Sequence, residues 1–222
     1  MIVTLAVPTL KRYDLLSNLL IASAERNTRP PDRYYVVDNG GGYDPAAYGA
    51  PTSKTRVYKP GRNIGVAAAW NHVLTTIDEP VIMACDDMDL WPGTVAAMVE
   101  AYKVHEDVDF FFPQHNAHTM FGVYLLRRRV FDKIGMFDEA FSPAYFEDND
   151  YAYRMKLAGI KTMTVPLAGM NHVGSATLKS FSGDEMKQHH ASFEALRKLY
   201  VRKWGGQPGH EVFTAPYDGK GP

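Results

Sequence analysis

Two carboxylates one residue apart, Asp87 and Asp89, follow the apolar run Pro80-Val81-Ile82-Met83-Ala84-Cys85 and precede the turn-forming Trp91-Pro92-Gly93. A buried strand that ends in spaced carboxylates delivers hard oxygen ligands to the rim of a sheet. Mg²⁺ and Mn²⁺ favour carboxylate, water and phosphate oxygens, so the pair can hold a metal that neutralises the diphosphate of a nucleotide substrate. That points to phosphate-ester or glycosyl chemistry. A lone Asp-x-Asp also fits a solvated acidic turn, so the motif takes its meaning from the rest of the chain. Asp86 adds a third carboxylate and leaves the register of the pair open.

Other polar groups have equally suggestive settings. Glu147-Asp148 follows the loop-forming Ser142-Pro143-Ala144-Tyr145-Phe146 and precedes Tyr151, Arg154, Met155 and Ala158 at helical spacing. This places the two acids near a helix N-terminus, where negative charge is favoured. Helix capping by Glu147, Asp148 and Asp150 is the alternative reading. Asp38 ends an apolar run and opens Asp38-Asn39-Gly40-Gly41-Gly42, which fits either a ligand-facing carboxylate or an Asx turn. Asn63 and Gly65 precede an alanine-rich helical segment whose N-terminus favours anions, although the segment is neither a Walker loop nor a Gly-x-Gly-x-x-Gly fingerprint. His172 is a candidate ligand or a structural imidazole, and His115 and His118 sit in a loop that lines an acceptor cleft or is plain polar surface.

The elements that position these residues follow from hydrophobic period. Residues 2–7 read as a first buried strand, followed by the Pro8-Thr9-Leu10-Lys11-Arg12 turn and a helix with Leu15, Leu16, Leu19, Leu20 and Ala24 on one face. Tyr34-Tyr35-Val36-Val37 is a second strand, and strand, helix, strand in this order makes a βαβ unit with a parallel pair. Val57-Tyr58 is a short third strand, residues 66–76 a helix, and the run before Asp86 a fourth strand. Ligands of such sheets bind outside the carboxyl ends of the strands, here Pro8-Thr9, Asp38-Asn39 and the acidic pair. A helix over 92–104 and strands over 108–112 and 121–126 follow, with a mixed sheet edge expected. Ser182-Gly183-Asp184-Glu185 is a capping-box start for a helix with Met186, Phe193, Leu196 and Tyr200 as its packing stripe. Beyond Trp204 the glycine- and proline-rich tail 206–222 has little power to fold alone.

Composition narrows the classes. The 222 residues suffice for one large domain. Lys plus Arg number 24 against 25 Asp plus Glu, which gives no general electrostatic reason to bind nucleic acid or an anionic membrane. Cys85, the single cysteine, excludes an intramolecular disulfide and a cysteine-based zinc cage. The N-terminus lacks a basic n-region, and no stretch approaches the roughly 20 apolar residues of a membrane span. A soluble, cytoplasmic protein is expected.

Taken in order, these landmarks resemble the family 2 glycosyltransferases of GT-A fold. The resemblance rests on Val7-Pro8-Thr9 with Arg12, Val37-Asp38-Asn39-Gly40, Asn63-Ile64-Gly65 with Asn71, and Asp87-Met88-Asp89 with Pro92-Gly93. It continues through Gly135-Met136-Phe137-Asp138-Glu139, Phe146-Glu147-Asp148-Asn149-Asp150, Arg154, Gly159, His172 and Tyr200-Val201-Arg202-Lys203-Trp204-Gly205, so it spans roughly residues 1 to 205. It implies a single α/β GT-A domain over 1–205, with a doubly wound, mostly parallel sheet and a mixed edge. Residues 1–115 would form the nucleotide-sugar half and 116–205 the acceptor and catalytic-base half.

By this resemblance Asp38 meets the nucleobase or ribose, Pro8 and Thr9 wall the base pocket, and Arg12, Asn63, Gly65 and Asn71 belong to the donor side. Asp89 ligates Mn²⁺ or Mg²⁺ directly, Asp87 meets the ribose or sugar and reaches the metal through water, and His172 is a further ligand. Asp148 is the base that takes the acceptor hydroxyl's proton, with Glu147 beside it. The implied reaction is an inverting single displacement from a nucleotide-diphosphate sugar, UDP being the commonest case. The acceptor hydroxyl is left open among a saccharide, a lipid-linked sugar, a protein, a small molecule and a modified DNA base. Processive members carry Gln-x-x-Arg-Trp and membrane helices, both missing here, so a single addition is expected. Two other classes stand beside this one. A sugar nucleotidyltransferase would need a glycine-rich, basic N-terminal loop that residues 8–16 lack. A non-catalytic nucleotide-sugar or glycan-binding module would have no need of both Asp89 and Asp148.

Overall fold

A computed structural model describes residues 1–78, 80–114, 120–174 and 181–221; His115 and His118 lie outside them. Strand β1 (Thr4–Thr9) pairs in parallel with β2 (Arg33–Asp38), Thr4 opposite Arg33 through Thr9 opposite Asp38. Strands β3 (Thr55–Tyr58) and β4 (Val81–Ala84) extend the parallel set on either side. Alternation along β1 sends Leu5 and Val7 to one face and Ala6 to the other, and both faces are covered, which is why these strands read as nearly continuous apolar runs.

On the Leu5 face, Leu16 and Leu20 come from a continuous helical stretch made of α1 (Tyr13–Leu15), a π-helical segment (Leu16–Ile21) and α2 (Ala22–Glu25). Met98 and Val99 reach the same face from α4 (Thr94–Val104). On the Ala6 face, Trp70 and Val73 of α3 (Gly65–Thr76), Val130 of α5 (Arg129–Ile134) and Tyr151 of α6 (Glu147–Leu157) close the second layer.

The other half of the sheet is mixed. Strand β7 (Val123–Leu126) runs antiparallel to both β4 and β6 (Phe110–Gln114), and the order across all eight strands is β3-β2-β1-β4-β7-β6-β8-β5. The eleven-residue β8 (Thr162–His172) pairs in parallel with β6, passes an irregularity facing Pro113 and Gln114, and then pairs antiparallel with β5 (Met88–Leu90). The irregular stretch is held to the start of α4. The Gly169 carbonyl accepts from the Thr94 hydroxyl (2.5 Å) and the Trp91 amide (2.9 Å). The sequence does not mark β5 or β8 as strands, since an Asp-x-Asp also fits an acidic turn and Pro166 and Gly169 interrupt the alternation of residues 162–172.

Helix α7 (Gly183–Trp204) starts with the expected capping box between Ser182 and Glu185 and ends at Gly205 with φ of 76°, a left-handed cap that suits glycine. It packs on α6 through Phe141, Phe146, Tyr153, Leu196, Tyr200 and Trp204. Fully buried Asp150 sits at this seam, contacted by Arg154 Nε (2.8 Å), Trp204 Nε1 (2.9 Å) and Lys203 Nζ (2.6 Å). The glycine-rich tail folds back on the same seam. The Val212 and Phe213 amides donate to the Trp204 carbonyl, the Tyr153 hydroxyl donates to the Phe213 carbonyl, and the Tyr200 hydroxyl donates to Glu211. Among the described residues no helix is long and apolar enough to cross a membrane.

Candidate active site

The C-terminal ends of β1 and β4 open into a cleft of about 660 Å³. Pro8 and Thr9 line it from β1, Asn39 from the end of β2, Asn63 and Val66 from the start of α3, and Cys85, Asp86 and Asp87 from the end of β4. Opposite them stand Tyr145, Glu147 and Asp148 at the start of α6, with His172 from the end of β8. Of the residues singled out in the sequence, the fold thus brings Pro8, Thr9, Asn63, Asp87, Glu147, Asp148 and His172 to one space. Burial raises the Cys85 thiol pKa, and Asp87, Asp86, Glu147 and Asp148 all add to that rise, so the four carboxylates surround this floor residue.

At the β4 end, Asp86 accepts from the Thr9 hydroxyl at 2.7 Å. Burial pushes its carboxyl up to about 7, the Thr9 bond opposes this, and the Asp87 charge adds to it. Asp87 is buried, and its Oδ2 lies 3.0 Å from His172 Nε2. The β5–β8 ladder makes this contact, since Met88 stands opposite His172. The bond to Asp87 is the largest influence on His172 and raises its pKa against the effect of burial. Among the described residues no group of three or more His, Cys, Asp or Glu side chains forms a ready metal cage. Asp87 and His172 nonetheless offer a carboxylate and an imidazole, a donor set that suits Mn²⁺. A partial protein shell also suits an ion whose other positions go to water and substrate phosphates.

Asp89 is the residue expected to ligate the metal directly. It lies one pair further along the ladder, opposite Asn171, with Oδ2 3.4 Å from Asn171 Nδ2, and is not among the residues lining the cleft. Asp38 is 1% exposed, and its carboxylate accepts from the amides of Gly40 (3.1 Å), Gly41 (2.9 Å) and Tyr43 (2.7 Å) and from the Tyr13 hydroxyl (2.9 Å). The acid that was expected to meet the base or ribose therefore folds the glycine loop, and its neighbour Asn39 faces the cleft instead. A side chain at Gly40 would meet the Leu10 carbonyl oxygen at 1.9 Å, so this loop requires glycine there.

Two more donor-side candidates, Asn71 and Gly65, organise backbone. Asn71 donates to the Phe137 carbonyl and to Glu139 (2.9 Å each) and accepts from the Phe137 amide (2.9 Å), which clamps residues 137–139 to α3. Gly65 has φ of +83°, and a Cβ there would meet Ser142 Oγ at 2.8 Å, while the next amide, Val66, donates to the Pro143 carbonyl at 2.8 Å. This close approach seats the loop that leads to Asp148. Arg12 forks onto Asp14 (3.0 and 2.7 Å) and does not line the cleft.

Opposite the β4 acids, Tyr145 and Phe146 take left-handed φ values of 84° and 71° immediately before α6. Such strain in bulky residues persists only where surrounding contacts enforce it. Glu147 follows, 7% exposed, with a buried Oε2 that has no hydrogen-bond partner among the described residues. Burial, reinforced by the Asp148 charge, pushes its carboxyl up to about 8. Burial also raises Asp148, against the bond that its Oδ1 accepts from the Asn149 amide at 2.8 Å. The two titrate as a pair that holds a proton above the ordinary carboxylate range.

The sequence reading missed part of the wall. Lys11, Phe181, Glu185, Gln188, His189 and Ser192 also line the cleft, five of them from the start of α7 and the residues leading into it. The packing stripe of that helix was legible, and the residues off the stripe were the available signal for a second, cleft-facing side.

No family model and no curated protein matches this chain. Solved structures do match in fold. The mannosyltransferase PcManGT from Pyrobaculum calidifontis, in complex with GDP-Man and Mn²⁺, superposes with a TM-score of 0.60 at 18% identity over 87% of this chain and 64% of its own. GalNAc-T7 with UDP, GalNAc and Mn²⁺ gives 0.64 at 10% identity, over 91% and 50%. TarS from S. aureus gives 0.61 at 15% identity, over 90% and 39%. The chain therefore spans less than two thirds of the length of each of these structures. They define its fold as that of the GT-A glycosyltransferases, a single α/β domain with a mixed eight-stranded sheet between helices.

Proposed function

We propose that this protein is a metal-dependent, inverting glycosyltransferase of the family 2 type, which moves one sugar from a nucleotide-diphosphate donor to an acceptor hydroxyl. The observation that carries the reading is the pairing, across one cleft, of a partial metal site with a buried acid pair. Asp87 and His172 stand on one side, and Glu147 and Asp148 on the other. The charge of the cleft supports it. Asp86, Asp87, Glu147, Asp148 and Glu185 line it, against Lys11 as the one lysine or arginine among its described lining residues. A diphosphate enters so acidic a space only with a cation. The fold likeness to structures that hold GDP-Man with Mn²⁺ and UDP with GalNAc and Mn²⁺ supports a nucleotide-sugar donor.

In this reading Asp87 and His172 would hold Mn²⁺ or Mg²⁺, which would supply positive charge to the leaving diphosphate. Asp148 takes the proton from the acceptor hydroxyl as its oxygen attacks the anomeric carbon on the face opposite the departing diphosphate, so no covalent enzyme intermediate forms. Pro8, Thr9, Asn39 and Asn63 enclose the nucleoside. A thermal-shift panel of UDP, GDP, dTDP and CDP, each with and without Mn²⁺, tests the donor site. One diphosphate, with UDP the first candidate, should raise Tm only when metal is present, because a ligand that binds the folded state alone stabilises it. No shift with any of the four at saturating concentration overturns the reading.

A further inference from the structure

We infer that the acceptor is a neutral saccharide, received by a wall that Tyr145 and the first turns of α7 build beside Asp148. The inference rests on the transferase reading for the direction of the chemistry, but its evidence comes from the α7 side of the cleft. Glu185, Gln188 and Ser192 recur at i, i+3 and i+7, so they share one face of α7, with His189 beside them. Tyr145 stands across from this face, 37% exposed, its ring edge-on to His189 and Phe193 at 5.3 Å each. A ring, an amide, a hydroxyl and an imidazole in one wall suit a pyranose, which presents an apolar C–H face and a rim of hydroxyls.

The electrostatics select against an anion on this side. Lys11 is tied to Glu185 in an ion pair, which leaves the described part of the wall without a cation to give to a second phosphate. Burial and the adjacent His190 both lower the His189 pKa, so it is neutral at pH 7. A phosphorylated acceptor or a nucleic-acid strand would bring its charge toward Glu147, Asp148 and Glu185 with only Lys11, already paired with Glu185, as a cation among the described lining residues. Glu147 gives an independent pointer. Its side chain lines the cleft, its buried Oε2 has no hydrogen-bond partner among the described residues, and a carboxyl kept neutral can donate a hydrogen bond. A hydroxyl of a bound sugar, next to the one that Asp148 deprotonates, supplies the missing partner.

Saturation-transfer NMR with the full chain tests this. The probes are methyl glycosides of glucose, galactose, mannose and N-acetylglucosamine, set against glucose 6-phosphate and a single-stranded oligonucleotide, with UDP or GDP and Mn²⁺ present. At least one neutral glycoside should receive saturation on its ring C–H protons. That signal should fall about tenfold in Tyr145→Gly, whose glycine suits the positive φ, and in Gln188→Ala on the exposed helix surface, and should return in Tyr145→Phe. Three outcomes overturn the proposal: contact with the phosphorylated probes alone, no contact with any neutral glycoside, or a signal that Tyr145→Gly leaves unchanged. The thermal shift of the same samples separates the two readings. A metal-dependent nucleotide shift without glycoside contact removes the saccharide acceptor and keeps the donor site. Glycoside contact without a nucleotide shift keeps the wall and removes the donor site.

Discussion

Asp148 and Glu147 are adjacent in sequence and occupy the same cleft, yet their surroundings divide their roles. Both carboxylates take hydrogen bonds from nearby backbone, but Glu147 also has a buried Oε2 with no partner among the described residues. Asp148→Asn should cut transfer by about 10²-fold or more while preserving metal-dependent nucleotide binding, as read by turnover against thermal shift. Normal turnover in that variant removes Asp148 as the base. Glu147 makes a separate prediction about stability. Its folded-state pKa is raised, so its contribution to stability is present below the usual value of 4.5 and is lost as pH rises through about 8. Glu147→Gln cannot ionise, so its Tm relative to wild type should climb across that window. A constant difference from acid to alkaline pH contradicts the assignment. At this scale the acidic residues of the cleft were legible because carboxylates at strand ends and helix starts are conspicuous. The backbone bonds of Asp38 and Asn71 were not legible, because a polar residue beside a glycine turn or on a helix serves backbone amides as readily as ligands, and sequence does not distinguish the two.

Among the elements, β8 brings His172 to Asp87 and so completes one side of the cleft. Its first half is a partner of β6 and its last residues are a partner of β5, so the contact between Asp87 and His172 depends on the strand's passage past Gly169. A side chain at Gly169 would meet the Trp91 ring at 2.1 Å. Gly169→Ala should therefore cost about 1–3 kcal/mol in denaturant unfolding and weaken Mn²⁺-dependent nucleotide binding along with it. Unchanged stability and binding in that variant refute this account of the strand. The parallel strands β1, β2 and β4 were readable because both their faces are largely buried and their apolar runs are nearly unbroken. Strands β5 and β8 were not, since three residues beside an acidic turn and a strand interrupted by proline and glycine give no clean period, and their pairing is fixed by tertiary packing.

Across the whole molecule, α6 and α7 are joined by Asp150 at a point where hydrophobic packing and ion pairing coincide. Arg154 and Lys203 converge on this carboxylate, and Lys203 also reaches Asp138 at 2.7 Å. Removing the acid leaves Lys203 buried without one of its two partners. Asp150→Ala should lower unfolding stability by about 3–5 kcal/mol. A loss under about 1 kcal/mol would place the strength of the seam in the aromatic cluster instead. The tail was expected to lack support of its own, and it holds its place by borrowing the end of α7 and the Tyr153 hydroxyl. Such long-range docking leaves no local pattern to read.

The contact between Asp87 and His172 joins residues 85 positions apart in the chain. A chain emerging from the ribosome therefore exposes its acidic turn long before the facing imidazole has been synthesised, and the cleft lining from β1 and β4 precedes that from α6, β8 and α7. On the proposed reading, affinity for a metal-nucleotide complex is acquired late, after the slowest class of contact has closed. Donor binding would then report that the distant end of the chain is already in place.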